Sequence, residues 1–343
     1  MRKSTCIVTI DGRDVSSNLL PSLINLSVTD KAGSSSDTCN IELDDTDGVL
    51  LLPRDGVSIE VSLGDNLNGV ATVFRGTVDE VRSSGSRSGG MVLSVTAKGV
   101  DTKGKAKQPQ QKHWDKKPLG DVLTEAGKEA GIPEVTVDPA LKALVRDYWA
   151  MQNESFLHFG ERIAREVGGT FKVSGQKAVL AKRNGGTSAS GEALPPVTAA
   201  WGRNLISWDI SPTLGRPRYK SIKSRYYDTK TATWKEKEVQ IDDPDAKADY
   251  TLRNPAADET EADTATKSGK ADSERAKGGG SITIDGDVSA QPEADLFLTG
   301  ARPGIDGQYR IDSVTHEYSR GSGFTTRLEV KQPQGSAGKD TRG

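Results

Sequence analysis

Residues 5–100 repeat one pattern, an apolar side chain at every second position, and no other feature limits the fold as much. Successive side chains on a strand point to opposite faces, so this spacing builds half-buried strands. The inward candidates are Cys6/Val8/Ile10, Ile24/Leu26/Val28, Cys39/Ile41/Leu43, Val57/Ile59/Val61/Leu63, Phe74/Val78 and Met91/Leu93/Val95. Turn chemistry separates them at Asp11-Gly12, Lys31-Ala32-Gly33-Ser34, Asp47-Gly48, Asp55-Gly56, Gly64-Asp65-Asn66 and residues 83–90. About six short strands at even spacing predict a closed or nearly closed antiparallel β-barrel. Closure would also remove exposed strand edges.

Composition agrees with many short strands. Only 34% of the 343 residues are hydrophobic and 37 are glycine, a balance that argues against one large α/β core. The length leaves room for about two or three domains. A net charge of −2 gives no global argument for nucleic acid or for acidic partners. No run approaches the ~18 apolar residues that span a bilayer, so no membrane insertion is expected. The basic pair Arg2-Lys3 is not followed by a long apolar run, so no signal peptide is expected and the chain should stay in the cytosol where it is made. The two cysteines, Cys6 and Cys39, cannot build a disulfide framework and read as small buried hydrophobes.

Beyond the first strands the pattern changes. Residues 98–117 read as a polar connector with Lys98, Lys103, Lys105, Lys107, Lys112, Lys116 and Lys117, and with Trp114 as the one side chain suited to stacking. It reads as a solvated loop more than as a phosphate-tracking patch, since a single aromatic is thin support for nucleic acid. Pro118, Leu119, Val122, Leu123, Ala126 and Ala130 predict a helix over 118–131, stopped by Gly131. Asn153 and Ser155 can each cap a second helix. Its face is Phe156, Phe159, Ile163 and Val167, its stop is Gly168-Gly169, and a hairpin about Ser174-Gly175-Gln176-Lys177 follows. Phe156, Phe159 and Ile163 are expected in the core of this α+β part.

Residues 185–196 form a linker by composition. Strand patterns resume with Ile206/Trp208/Ile210 on one face and Leu205/Ser207/Asp209 on the other. Tyr219 to Asp228 and Thr233 to Ile241 predict a hairpin around residues 228–232. Residues 253–280 are rich in Ala, Asp, Glu, Lys and Thr; Ala262, Ala265 and Ala276 can line a thin helix face, with a disordered loop as the alternative. Gly278-Gly279-Gly280 reads as a flexible joint. Strands at 281–284, 295–298, 308–318 and 324–331 precede a polar tail at 332–343.

Two segments carry a family resemblance. Gln152-Asn153-Glu154-Ser155, followed by the amphipathic helix, the Gly pair and the hairpin, resembles the middle of the phage late control protein D family. These are the baseplate hub proteins of contractile-tailed phages, related to the hub half of VgrG in type VI secretion. Gly304-Ile305-Asp306-Gly307-Gln308-Tyr309-Arg310-Ile311-Asp312-Ser313-Val314-Thr315-His316-Glu317-Tyr318 is similar to the family's closing G-x-Y-x-I-x-x-V-x-H strand. Order and length agree over nearly the whole chain.

The resemblance implies a mainly β architecture with two tail-tube-like antiparallel β-barrel domains and an α+β insert between them. On that reading 1–103 is the first barrel, 104–184 the insert, 185–196 a linker, 197–331 the second barrel with an Ala-rich helix or loop at 256–277, and 332–343 a flexible tail. It leaves open that strands within 197–215 return to complete the first barrel. It implies a homotrimeric ring that joins a sixfold tail tube to a threefold central spike. The implied partners are the central spike protein, the tail tube protein, the tape measure protein and baseplate wedge proteins, with DNA only passing through the lumen. The implied location is the virion tail baseplate, assembled in the host bacterial cytoplasm. No cofactor is expected. Ile206, Trp208 and Ile210 are the expected interaction residues, because an exposed Trp208 face would be sticky unless a ring covered it.

No catalytic constellation stands out. His113, His158 and His316 lie on different elements, and no serine marks a triad partner for His316. There is no Gly-x-Ser-x-Gly elbow, Walker loop or dinucleotide fingerprint. Asp285-Gly286-Asp287 is half a calcium loop at most and reads as a turn. Asp147, Glu154 and Glu161 are the carboxylates to weigh, and the alternative function they allow is a baseplate-associated peptidoglycan hydrolase using Glu154 and a second acid. Glu154 beside a helix start has a structural explanation as well. A sugar-binding adhesin is disfavoured by an aromatic content of 5%.

Overall fold

The computed structural model describes residues 2–33, 36–100, 104–213, 219–243, 246–340 and 342. Ser34 of the second predicted turn and Lys103 of the lysine series lie outside the described residues. The first part comprises β1 (Ser4–Ile10), β2 (Arg13–Asp14), the one-turn helix α1 (Ser16–Leu19), β3 (Leu23–Lys31), β4 (Thr38–Asp44), β5 (Ser58–Asp65), β6 (Gly69–Ser86) and β7 (Gly90–Lys98). Its antiparallel ladder runs β3-β4-β7-β6-β5-β1-β2. Cys6, Val8, Leu26, Val28, Cys39, Ile41, Val61, Leu63, Phe74, Leu93 and Val95 form its core, as the alternation predicts. Both cysteines are free and buried, and burial pushes their thiols up to about 12.

Two inward candidates are corrected. Ile24 is exposed because it is the extra residue of a bulge: Leu23 pairs with Leu43 and Asn25 with Glu42, so Leu23 takes the buried place. Met91 is exposed as well, since it sits at the turn end of the β6–β7 hairpin, beyond the core.

The insert comprises β8 (Gln110–Asp115), α2 (Leu119–Glu129), β9 (Glu134–Val137), α3 (Pro139–Lys142), β10 (Tyr148–Glu154), α4 (Phe156–Val167), β11 (Gly169–Ser174) and β12 (Lys177–Lys182). Ser155 caps α4, its Oγ accepting from the His158 N–H at 3.2 Å, and Gly168 ends it in the left-handed region at φ 69°. Phe156, Phe159 and Ile163 are all buried. Phe156 meets Phe171 edge to face at 5.5 Å, and Trp114 stacks on Phe159 at 5.8 Å. Gly160 makes room for this, because a Cβ there would lie 2.4 Å from the Phe171 ring.

The connector expectation is therefore corrected in part. Gln110–Asp115 is a strand paired with β10, and Trp114 is buried, so it is not available for stacking on a base. β9, which pairs parallel to β12, carries too short an apolar signal to be read in advance. Lys172 of β11 holds the insert to the first part, its Nζ lying 2.6 Å from Asp30 and 2.7 Å from Asp37.

The last part comprises β13 (Val197–Ala200), β14 (Leu205–Ser211), β15 (Tyr219–Asp228), β16 (Thr233–Gln240), β17 (Ala248–Thr251), α5 (Glu259–Arg275), β18 (Gly279–Asp285), β19 (Asp295–Thr299), β20 (Gly307–Ser319) and β21 (Gly323–Gln334). Its main ladder runs β14-β18-β21-β20, with β19 on β20 and β13 parallel to β19. Ile282, Ile284, Leu296, Leu298, Tyr309, Ile311, Leu328 and Val330 fill a second core. β15, β16 and β17 form a small separate sheet.

The fold is mainly β with a smaller α+β insert. The two strand groups are not separate sheets, however. β20 pairs with β3 from Ser313 to Ser319, which joins them into one sheet of 13 strands. The long β20–β21 hairpin thus serves both cores: Tyr309 and Ile311 at one end pack in the second, Phe324 at its tip in the first. Among the described residues, the strands expected within 197–215 do not complete the first barrel: β13 pairs with β19 and β14 with β18. Nor does a ladder close either half among the described residues. Between β1 and β21 the contact is a Phe324 N–H donated to Ser4 Oγ at 3.1 Å. Gly279 and Gly280 are strand residues, not a joint. A Cβ on Gly280 would lie 2.0 Å from the Asp209 carbonyl oxygen, so glycine lets β14 approach β18. The predicted tail is partly held: Ala337 is buried and the Gly338 N–H donates to Gly304 O at 2.9 Å.

Candidate functional site

The surface that stands out is the outer edge of β14, the terminal strand of the main sheet path. Its entry is a tight turn over residues 201–204. Asn204 fixes that turn by donating from Nδ2 to Thr198 O at 2.8 Å and accepting from the Ala200 N–H at 3.0 Å. Among the described residues, β14 pairs with β18 on one side and with no strand on the other. Its outer backbone groups therefore have no ladder partner, and an unpaired edge is a template for another chain.

A bulge sets which side chains this edge presents. Leu205 pairs with Ile284, and Ser207, not Ile206, follows it in register against Thr283; Trp208 pairs with Ile282. Since Ile282 and Ile284 both face the core, Leu205 and Trp208 share their face. Ile206 is the extra residue and is thrown outward, 47% exposed. The expectation of one Ile206/Trp208/Ile210 face is corrected accordingly: Trp208 and Ile210 are partly buried against the second core, and Ile206 stands apart from them.

Trp201, in the turn, is 57% exposed and meets Trp208 edge to face at 5.1 Å. The alternation could not reveal it, because it lies between strands; the Trp201-Gly202 turn pair was the available signal. Trp201, Trp208 and Ile210 make a partly covered apolar strip beside the unpaired backbone edge, and Ile206 projects from the bulge apart from them. Asp209 and Arg203 are exposed on the same stretch.

Phe156, Phe159 and Ile163 lie elsewhere, inside the insert core, and do not join this surface. Glu154 is buried below α4, with Arg162 on both oxygens at 2.5 and 3.1 Å and His158 Nδ1 at 3.4 Å. Glu166 is engaged in turn by Arg162 at 2.9 Å and Arg146 at 2.7 Å. These carboxylates are tied into ion pairs, an arrangement that ties helix to strand. Glu161 and Asp147 add no second acid facing Glu154 across a cleft, since Glu161 is on α4 itself and Asp147 precedes β10.

His316 is buried, with Nδ1 3.1 Å from Thr326 Oγ1, and burial pushes its pKa down to about 4. His113 stacks on Tyr148 at 5.7 Å. Asp287 closes a turn by accepting from the Ser289 N–H at 2.9 Å. Among the described residues no group of three His, Cys, Asp or Glu side chains could hold a metal ion, and no helix is long and apolar enough to cross a membrane.

Comparison with known proteins gives a consistent result. A sequence profile of the phage tail baseplate hub family (GPD) matches residues 36–322. A probable baseplate hub protein of Escherichia phage 186 is 26% identical over 95% of this chain and 92% of its own length. Among solved structures, the prophage MuSo2 43 kDa tail protein from Shewanella oneidensis shares the fold at TM-score 0.71, with 14% identity over 96% of this chain and 98% of that one. The Francisella PdpA-VgrG complex shares it at TM-score 0.55 and 9% identity, over 97% of this chain and 53% of that one.

Proposed function

Because this chain belongs to the phage tail baseplate hub family, we propose that it is a structural part of a tail baseplate and works as a ring of three copies. The observation that carries this reading is the β14 edge, where an unpaired backbone lies beside Ile206, Trp201 and the partly buried Trp208. Such a strip favours burial against a further chain. Three copies closing head to tail make a heterologous interface that terminates itself.

Each copy carries two strand groups around two cores. Three copies would present six such groups, a pseudo-sixfold ring able to meet a sixfold tail tube on one side and a threefold central spike on the other. The tape measure and wedge proteins are further contacts on this reading, and DNA passes through the lumen without tight binding. The location is the virion tail baseplate, with assembly in the host bacterial cytoplasm. The role is one of architecture and not of catalysis, and the engagement of Glu154 by Arg162 supports that over a hydrolase.

Light scattering after size exclusion is expected to report three times the monomer mass. An interface of this obligate kind should bury on the order of 2,000 Å² or more. A chain that stays monomeric at high concentration, alone and with its spike protein, would rule the ring out.

A further inference from the structure

A second edge in this chain is unpaired, and it matches β14. β5 and the turn before it cover one side of β6 as far as Val78, whose N–H donates to Val57 O at 2.9 Å and whose carbonyl accepts from the Gly56 N–H at 2.7 Å. β7 covers the other side on to Ser86. Residues 80–86 of β6 are therefore paired on one side only among the described residues. They are seven residues, as is β14. Arg82, Ser83 and Ser84 are exposed there, while Val81 leans on the first core.

We propose that β14 of one copy pairs antiparallel with residues 80–86 of β6 in the next copy, Asp209 opposite Arg82. This rests on the ring reading above and names the contact that closes it. Two features of the two strands select the register. Ile210 leans on the second core and Val81 on the first, and this alignment sets them opposite each other with both inner faces on one side. Asp209 and Arg82 then fall opposite each other on the outer side, where both are exposed and neither has an ion-pair partner among the described residues. Directly opposed unlike charges favour a pair, and like charges oppose it.

The neighbouring registers fail on the same grounds. A slip of one residue turns the inner face of one strand outward. A slip of two residues one way sets Asp209 against Glu80, and the other way sets it against Ser84 and loses the charge pair. The two edges differ in character, apolar on β14 and serine-rich on β6, so the contact is head to tail and closes a ring instead of a twofold dimer.

The same register sets Ser207 opposite Ser84. The test is the full-length chain carrying Ser207→Cys and Ser84→Cys, oxidised mildly and run on a non-reducing gel. Cys6 and Cys39 are buried and do not compete. Covalent dimers and trimers are expected, at about tenfold the yield of a Ser207→Cys/Ser86→Cys control, because disulfide geometry tolerates little displacement. If light scattering finds a trimer but Ser84 does not cross-link, or the Ser86 control links as well, the strand pairing is wrong while the ring survives. A monomer at all concentrations removes both. Charge exchange gives an independent reading that needs no disulfide. Arg82→Glu and Asp209→Arg should each weaken the trimer by about fivefold or more, and the double exchange should restore it. Losses that simply add in the double variant would overturn the pairing.

Discussion

Helices α4 and α5 touch each other and are held by opposite means. α4 buries Phe156, Phe159, Ile163 and Val167 against strands of the insert. α5 is longer, at 17 residues against 12, yet it buries only Ala262, Thr266, Ser268 and Arg275. Small side chains let α5 lie close to its neighbours, but they remove little apolar area from water, and that area is the main driving force for packing. What anchors α5 is its last turn. The Arg275 guanidinium donates to Glu293 and Asp312, both at 2.8 Å, and to Asn184 Oδ1 at 2.8 Å. Those partners come from the end of the insert, from the turn before β19 and from β20, so α5 acts as a strut between parts, whereas α4 is the centre of one part. A helix can be specified by its own stripe or by what surrounds it, and this chain uses both side by side.

The sharpest way to break α4 is Phe159→Ala. Loss of a fully buried aromatic should cost roughly 3–5 kcal/mol, read as a fall in the midpoint of chemical denaturation. An unchanged midpoint would mean that this face is not core.

Arg275→Met should cost roughly 3 kcal/mol, since Glu293 and Asp312 would remain buried without their cation. The loss should appear first as faster amide exchange in α5, with α4 still protected. Equal loss in both helices would deny the strut.

Acid should separate the two helices next. Burial pushes the Asp312 carboxyl up, but Lys331 and Arg275 outweigh it and hold the group below the usual carboxylate range. A depressed carboxylate contributes stability above its unfolded pKa and loses it as pH falls through the folded value, that is, below about 4. The apolar face of α4 has nothing to titrate, and that face, more than the Glu154–Arg162–Glu166 ion pairs beside it, holds the helix. Amide exchange compared at pH 7 and pH 3 should therefore show α5 loosening more than α4; the reverse order would contradict the comparison.

The smallest effect is expected at the contact between the helices. Ser268 Oγ donates to Arg165 O at 3.0 Å. Ser268→Ala should cost about 1 kcal/mol, and a thermal melt shifted by much more would mean that α5 depends on α4 for more than this bond.

Local elements follow from the chain's own pattern wherever a period is filled by large side chains. The alternation over residues 5–100 and the stripe on α4 were legible because burial of such residues acts along the element that carries them. α5 was legible only as a choice between helix and loop, since Ala and Thr bury too little to decide without the ion cluster that meets Arg275. The two bulges show the other limit. Ile24 and Ile206 continue their patterns in sequence, but an extra residue in the pairing turned each outward. Register belongs to two strands at once, so one strand cannot report it. The same holds for the joining of the two strand groups. The family resemblance led to two barrels, and it took the pairing of β20 with β3, partners 286 residues apart at Thr29 and Thr315, to make them one sheet with β14 left at its edge.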